Sequence, residues 1–141
     1  MGQYHYTVNL DKKEFLHPHK LGDGLKLVEQ INSQAGTMAA LMLLLAAPEP
    51  RGGGDAEAHP MLGRWHGDRI AVVGDYAEDS DLPVEFQAST IFKRCTEGVF
   101  TDITDDIKPL VERECEVEIT GDGWRAKNTN AAERPDFIIG L

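Results

Sequence analysis

TMAALMLLLAA, residues 37–47, is the stretch whose reading decides the fold class. Alanine, leucine and methionine are strong helix formers, Thr37 is a suitable N-cap residue, and Pro48 ends the run. The segment has no polar face, so it reads as a helix buried on most sides at the centre of the domain. The uncharged apolar run within it is about half of what a bilayer span requires, which makes it a core helix and not a membrane anchor. Its methionines read as gap-fillers.

Downstream lies RGGGDAEAHPMLGRWHGDRIAVVGDY, residues 51–76, with six glycines, three Gly-Asp pairs, three arginines, two histidines and a tryptophan. Residues 49–66 read as a glycine-rich loop. Residues 69–74, RIAVVG, read as a short strand, central in its sheet because both of its faces are apolar. Upstream, Gln3 to Leu10 alternates, with Tyr4, Tyr6 and Val8 on one face and His5, Thr7 and Asn9 on the other, the pattern of a half-buried strand. His5 is then solvent-facing. Asp11-Lys12-Lys13 reads as a turn and Glu14 to His17 as a short return strand that Pro18 stops. Leu25 to Ile31 reads as a short amphipathic helix with Leu25, Val28 and Ile31 on one side.

Beyond residue 76, a helix is expected over residues 88–96. Another is expected over residues 104–114, where Thr104 or Asp105 caps, acids fill the first turn and Pro109 sits where a missing N–H costs little. Residues 115–120, CEVEIT, alternate as a strand, and Gly121-Asp122-Gly123 turns it into a hairpin. The apolar Phe137-Ile138-Ile139 near the end of the chain is expected to dock on the core. The elements interleave without βαβ alternation. One α+β domain over residues 1–141 is therefore expected, with a mainly antiparallel sheet packed on the helix at 37–47. Within it, residues 1–76 carry the motifs, residues 77–127 are acidic, and residues 128–141 form a polar tail with an apolar end.

Charge narrows the function. The formal net charge is −10. Residues 1–76 hold seven Lys/Arg against nine Asp/Glu, and residues 77–141 seven against fifteen, while all five histidines lie in the first part. An acidic second half argues against non-specific nucleic-acid binding, which needs cations at the phosphates. It suits solubility or a basic protein partner. Cys95 and Cys115 are too few for a disulfide framework and read as buried thiols in a reducing compartment. With no basic-then-apolar leader at the N-terminus, the expected location is cytoplasmic and no membrane is involved.

Three loops carry the candidate chemistry. Arg51, Gly52, Gly53, Gly54 and Asp55 form a run whose backbone N–H groups can cradle an anion, with Arg51 adding a bidentate contact; a plain surface loop is the competing reading. Gly63 to Arg69 brings Arg64, Trp65, His66, Asp68 and Arg69 together, so that Trp65 can stack on a ligand, Arg64 or Arg69 can hold an anion, and His66 with Asp68 can move protons. The competing reading has Trp65 anchoring the loop on the core while Asp68 and Arg69 pair locally. His17-Pro18-His19 puts two imidazoles close together, followed by Gly22-Asp23-Gly24. A metal there would need ligands from distant loops, and none is assigned. No serine or cysteine stands in a nucleophile context.

The residues just assembled also carry a resemblance. Gln3-Tyr4, the run from Val8 to His19, Gly22 to Leu27, Gly36-Thr37-Met38, Arg51 to Asp55, and Gly67 to Ile70 with Gly74-Asp75-Tyr76 resemble a family of small hypothetical proteins of bacteria, archaea, and their phages or mobile elements. The resemblance covers about the first 76 residues and implies no activity, so it supplies no catalytic residues. The function expected is a binding module for a small anionic, nucleotide-like ligand where the three loops converge. One alternative is a hydrolase or transferase using His17, His19, His66 and Asp68, with or without a metal. The other is an acidic inhibitor protein of a phage or mobile element. A homodimer through a sheet edge is compatible with each. No cofactor is identified.

Overall fold

A computed structural model describes residues 3–49, 51, 56–121 and 123–127. Its centre is a four-stranded sheet of β1 (His5–Asn9), β2 (Glu14–Leu16), β3 (Ile70–Gly74) and β4 (Thr101–Asp102), in the order β3-β1-β2-β4. β1 pairs antiparallel with both neighbours, whereas β4 lies parallel to β2. Among the described residues, four α-helices accompany it: α1 (Leu27–Ile31), α2 (Thr37–Leu45), α3 (Ala88–Thr96) and α4 (Thr104–Cys115). A hairpin of β5 (Val117–Thr120) and β6 (Gly123–Ala126) completes the fold. The α+β class and the mostly antiparallel sheet are as the sequence implies.

Alternation along β1 and β2 separates two apolar clusters, one on each face of the sheet. Tyr6, Val8, Phe15 and Val73 meet Ile91 and Cys95 of α3. Leu16 on the opposite face meets Leu44 of α2, Ile107 and Leu110 of α4, and Trp65. Because helices cover both faces, β1 is not half-buried: Thr7 and Asn9, on the supposedly polar side, are buried as deeply as Val8. β3 in turn is an edge strand and not a central one, and Val72 is 49% exposed on it.

Several local expectations change for identifiable reasons. The N-cap of α2 is Gly36, and the carboxylate that receives the Thr37 N–H, at 2.7 Å, comes from the buried Asp23. Asp102 likewise caps α4 by accepting from the Thr104 N–H at 2.9 Å. Pro109 falls inside α4, past the first turn. α1 is turned inside out: Gln30 points inward and donates to the carbonyls of His5 and Leu25 (2.9 and 3.0 Å), leaving Val28 and Ile31 63% and 54% exposed. In α2 only Thr37, Ala40 and Leu44 are buried, so the helix packs along one side and not on most sides. Two glycines permit close approaches. Gly22 (φ +80°) would bring a Cβ within 2.6 Å of the Gly123 carbonyl, and Gly63 (φ +74°) would bring one within 2.7 Å of Pro48. The apolar end at residues 137–139 lies outside the described residues.

The deepest polar contact joins the sheet to the loop after α2. Glu14 is 5% exposed and accepts from the Trp65 indole N–H at 2.8 Å and from the Arg64 guanidinium, Nε at 3.0 Å. A buried carboxylate stripped of one donor costs about 1–3 kcal/mol. Trp65→Phe, which keeps an aromatic ring and removes the N–H, is expected to lower the unfolding free energy by about that amount in urea titration. Arg64→Met is expected near the lower end of the same range, because the Arg64 side chain is 40% exposed and water can replace part of it. Parent-like midpoints for both would mean that Glu14 does not depend on these donors.

Candidate functional site

The loop from Gly63 to Arg69 is held by structural bonds along its whole length. The Gly63 and Trp65 N–H groups donate to the Leu43 and Leu44 carbonyls, both at 2.9 Å, and His66 Nδ1 reaches the Leu45 carbonyl at 3.0 Å. These contacts satisfy carbonyls that the end of α2 would otherwise leave open. Arg64 and the fully buried Trp65 are bound to Glu14. Asp68 accepts from Asn9 Nδ2 at 2.9 Å and pairs with Lys12. Arg69 clasps Asp11 through Nε (2.9 Å) and Nη2 (2.7 Å) and lies over the Phe86 ring. The hydrogen bond from Arg69 holds the Asp11 carboxyl below its usual range, and that from Lys12 does the same for Asp68. The reading in which Trp65 anchors the loop describes this geometry, but Asp68 and Arg69 do not pair locally: their partners, Lys12 and Asp11, lie 56 and 58 positions away in the turn after β1. Arg51 has its guanidinium 3.6 Å from Glu49, and Gly52, Gly53, Gly54 and Asp55 lie outside the described residues.

His17 belongs to the other face of the sheet. It continues the alternation of β2 beyond Leu16, so it sides with Phe15 and Tyr6, its ring 5.5 Å from that of Tyr6. Glu14, with Arg64 and Trp65, is on the opposite side. The Pro18–Leu21 segment is a 3-10 turn, and the exposed His19 stacks obliquely on His17 at 5.4 Å. The structure therefore brings His17 and His19 together but not with Arg64, Trp65, His66 or Asp68. Among the described residues no group of three or more His, Cys, Asp or Glu side chains is placed to hold a metal ion.

What His17 meets instead is a cavity of about 480 Å³ between α3, β4 and the 3-10 turn. Tyr6, Phe15 and Phe100 form its aromatic wall, and His17, Lys20 and Asp102 its polar end. Asp102 receives Lys20 Nζ at 2.8 Å and the hydroxyl of Thr104, which itself accepts the His17 backbone N–H at 2.7 Å. Burial pushes the Asp102 carboxyl up, but the bonds from Lys20 and Thr104 outweigh it and keep the group below the usual carboxylate range. Lys20 is raised in turn, first by its bond to Asp102. Burial pushes the His17 imidazole below its ordinary value, against the opposing pull of Asp102. Its Nδ1 is buried and has no hydrogen-bond partner. The Cys95 thiol, also in the lining, is pushed up to about 12 by burial and is no nucleophile at neutral pH.

Sequence gives little sign of the cavity, since His17 and the Thr104 that links it to Asp102 lie 87 positions apart. One local signal existed: Asp102-Ile103-Thr104 has the spacing of an acid that caps the helix after it. Nothing local marks Lys20, or Tyr6 as more than a core aromatic. Comparison with family models, curated proteins and solved structures returns no match for the chain.

Two measurements follow from these environments. In an NMR titration the His17 ring is expected to have its midpoint below 6.5. The unfolded chain takes up that proton first as the pH falls. His17 therefore contributes stability that is present above about pH 6.5 and lost as the pH drops through its folded pKa. A midpoint at or above 6.5 would contradict the buried placement. Separately, Cys95 is expected to resist alkylation at pH 8 in the native protein and to react once urea unfolds it; prompt native labelling would show that the thiol is accessible.

Proposed function

We propose that the protein is a binding module for a small, flat molecule, seated in the cavity on the α3 face of the sheet. The observation that carries this reading is the pairing of an aromatic wall (Tyr6, Phe15, Phe100) with a charge-balanced polar end (His17, Lys20, Asp102) in one cavity. A volume of about 480 Å³ suits a ligand of nucleobase or nucleoside size. An uncharged imidazole can donate and accept at a ligand edge, and the aromatic side chains favour a planar body.

Charge favours a neutral or zwitterionic ligand over the anion expected from the sequence. Lys20 already answers Asp102 and stands 3.5 Å from Asp105, so a phosphate would have to compete with two carboxylates for it. Arg64 and Arg69, the cations first considered for an anion, are ion-paired with Glu14 and Asp11. Catalysis is less well supported than binding. The Asp102 carboxylate is engaged by Lys20 and Thr104, the buried His17 Nδ1 has no hydrogen-bond partner, and Cys95 stays protonated. The acidic surface is also partly committed: Asp79 caps α3 through Ser89, and Glu112 accepts the Ile119 N–H.

A thermal-shift series tests the assignment. Free bases and nucleosides are expected to raise the melting temperature, with Lys20→Met weakening the shift and Thr96→Trp, at the cavity lining, abolishing it. Stabilisation by nucleotides and by no nucleoside would restore the anionic reading. No shift from either class, with both variants behaving like the parent, would count against a ligand site in this cavity.

A further inference from the structure

We infer that the outer face of α1 and α2 is the contact by which two copies of this chain associate. α1 is oriented against its own amphipathicity. It buries Gln30 and turns Leu27, Val28 and Ile31 outward, two of them more than half exposed. Beside it, α2 exposes Met38, Met42 and Leu45, one stripe at helical spacing, with Met42 69% exposed. Together these six side chains present roughly 600 Å² of apolar surface, the upper end of what a monomer leaves open. Two copies would bury about 1,200 Å², enough for a specific interface.

Charge selects the occupant. The chain carries −10, so most of its surface repels a second copy. α2 is the exception, with no charged residue from Thr37 to Ala47. A two-fold contact centred on α2 is isologous, uses one patch twice and opposes no charge of α2; α1 contributes one acid, Glu29, whose carboxylate accepts the Lys26 N–H at 3.1 Å. A basic protein partner would gain nothing from an uncharged stripe. At the β4 side the sheet edge is a poorer route, because β4 has only two residues. Methionine at the centre of the patch is suited to such a surface, since its flexible thioether adapts to a copy of itself.

Sedimentation equilibrium of the full chain from micromolar to hundreds of micromolar tests the contact. A monomer–dimer equilibrium is expected. Met42→Glu is expected to raise its dissociation constant by about 100-fold or more, because it places a charge at the apolar centre. Val28→Glu on α1 should act in the same direction, and unchanged circular-dichroism melting of dilute samples would show that both variants fold. A parent that remains monomeric throughout overturns the inference. So does a dimer that neither substitution weakens, which would place the contact elsewhere.

Discussion

A carboxylate buried in a protein sheet is tolerable only when donors surround it, and Glu14 sets that condition for this fold. It lies on β2 and faces the cluster that holds Leu16. Its two donors come from adjacent residues of one loop, Arg64 and Trp65, so satisfying the charge fixes the loop. Fixing the loop in turn delivers backbone donors to the last turn of α2 and starts β3 in register with β1. The strand, the helix end and the following strand therefore depend on the same few hydrogen bonds. Such an arrangement makes a weak net contribution to stability but a strong one to specificity of packing, because any alternative placement leaves a bare charge behind.

Much of the architecture was legible in the sequence because it follows local rules. Period-two alternation marked β1 and β5, a turn and Pro18 bounded β2, and helical composition marked α2 and α4, whereas the segment that forms α3 fits helix or strand by its apolar residues alone. Errors arose where a distant residue decided a local question. Asp23, 14 positions back, caps α2 in place of Thr37, whereas the cap of α4 is local, Asp102 lying two residues before Thr104. Gln30 turns α1 over because two strand-side carbonyls need a donor. Composition alone makes β3 resemble a central strand, although nothing pairs with its outer edge among the described residues.

The candidate site shows the same division in sharper form. His17 was singled out from its neighbours in sequence, yet the groups that define its surroundings, Tyr6, Asp102 and Thr104, come from three other elements. The polar density of residues 63–69 pointed the other way, toward a ligand. A loop that must cap a helix, neutralise a buried acid and brace a turn needs the same residue types as a binding loop: donors, charges and a flat aromatic. Chemical richness in a short segment is therefore an ambiguous signal. Partners elsewhere in the chain decide whether it serves a ligand or the protein itself.

The parallel pairing of β2 with β4 has a kinetic side. The sheet's first three strands are joined by antiparallel ladders, but β4 must return from far along the chain to lie beside Phe15. Closing so long a loop delays its contacts relative to the hairpin of β1 and β2. Phe100, Asp102 and Thr104 belong to that segment, so the pocket beside His17 depends on the long-range closure and not on the β1–β2 hairpin alone. During synthesis β1, β2 and β3 leave the ribosome before β4, so the lining of the cavity is complete only once residues 100–102 have emerged.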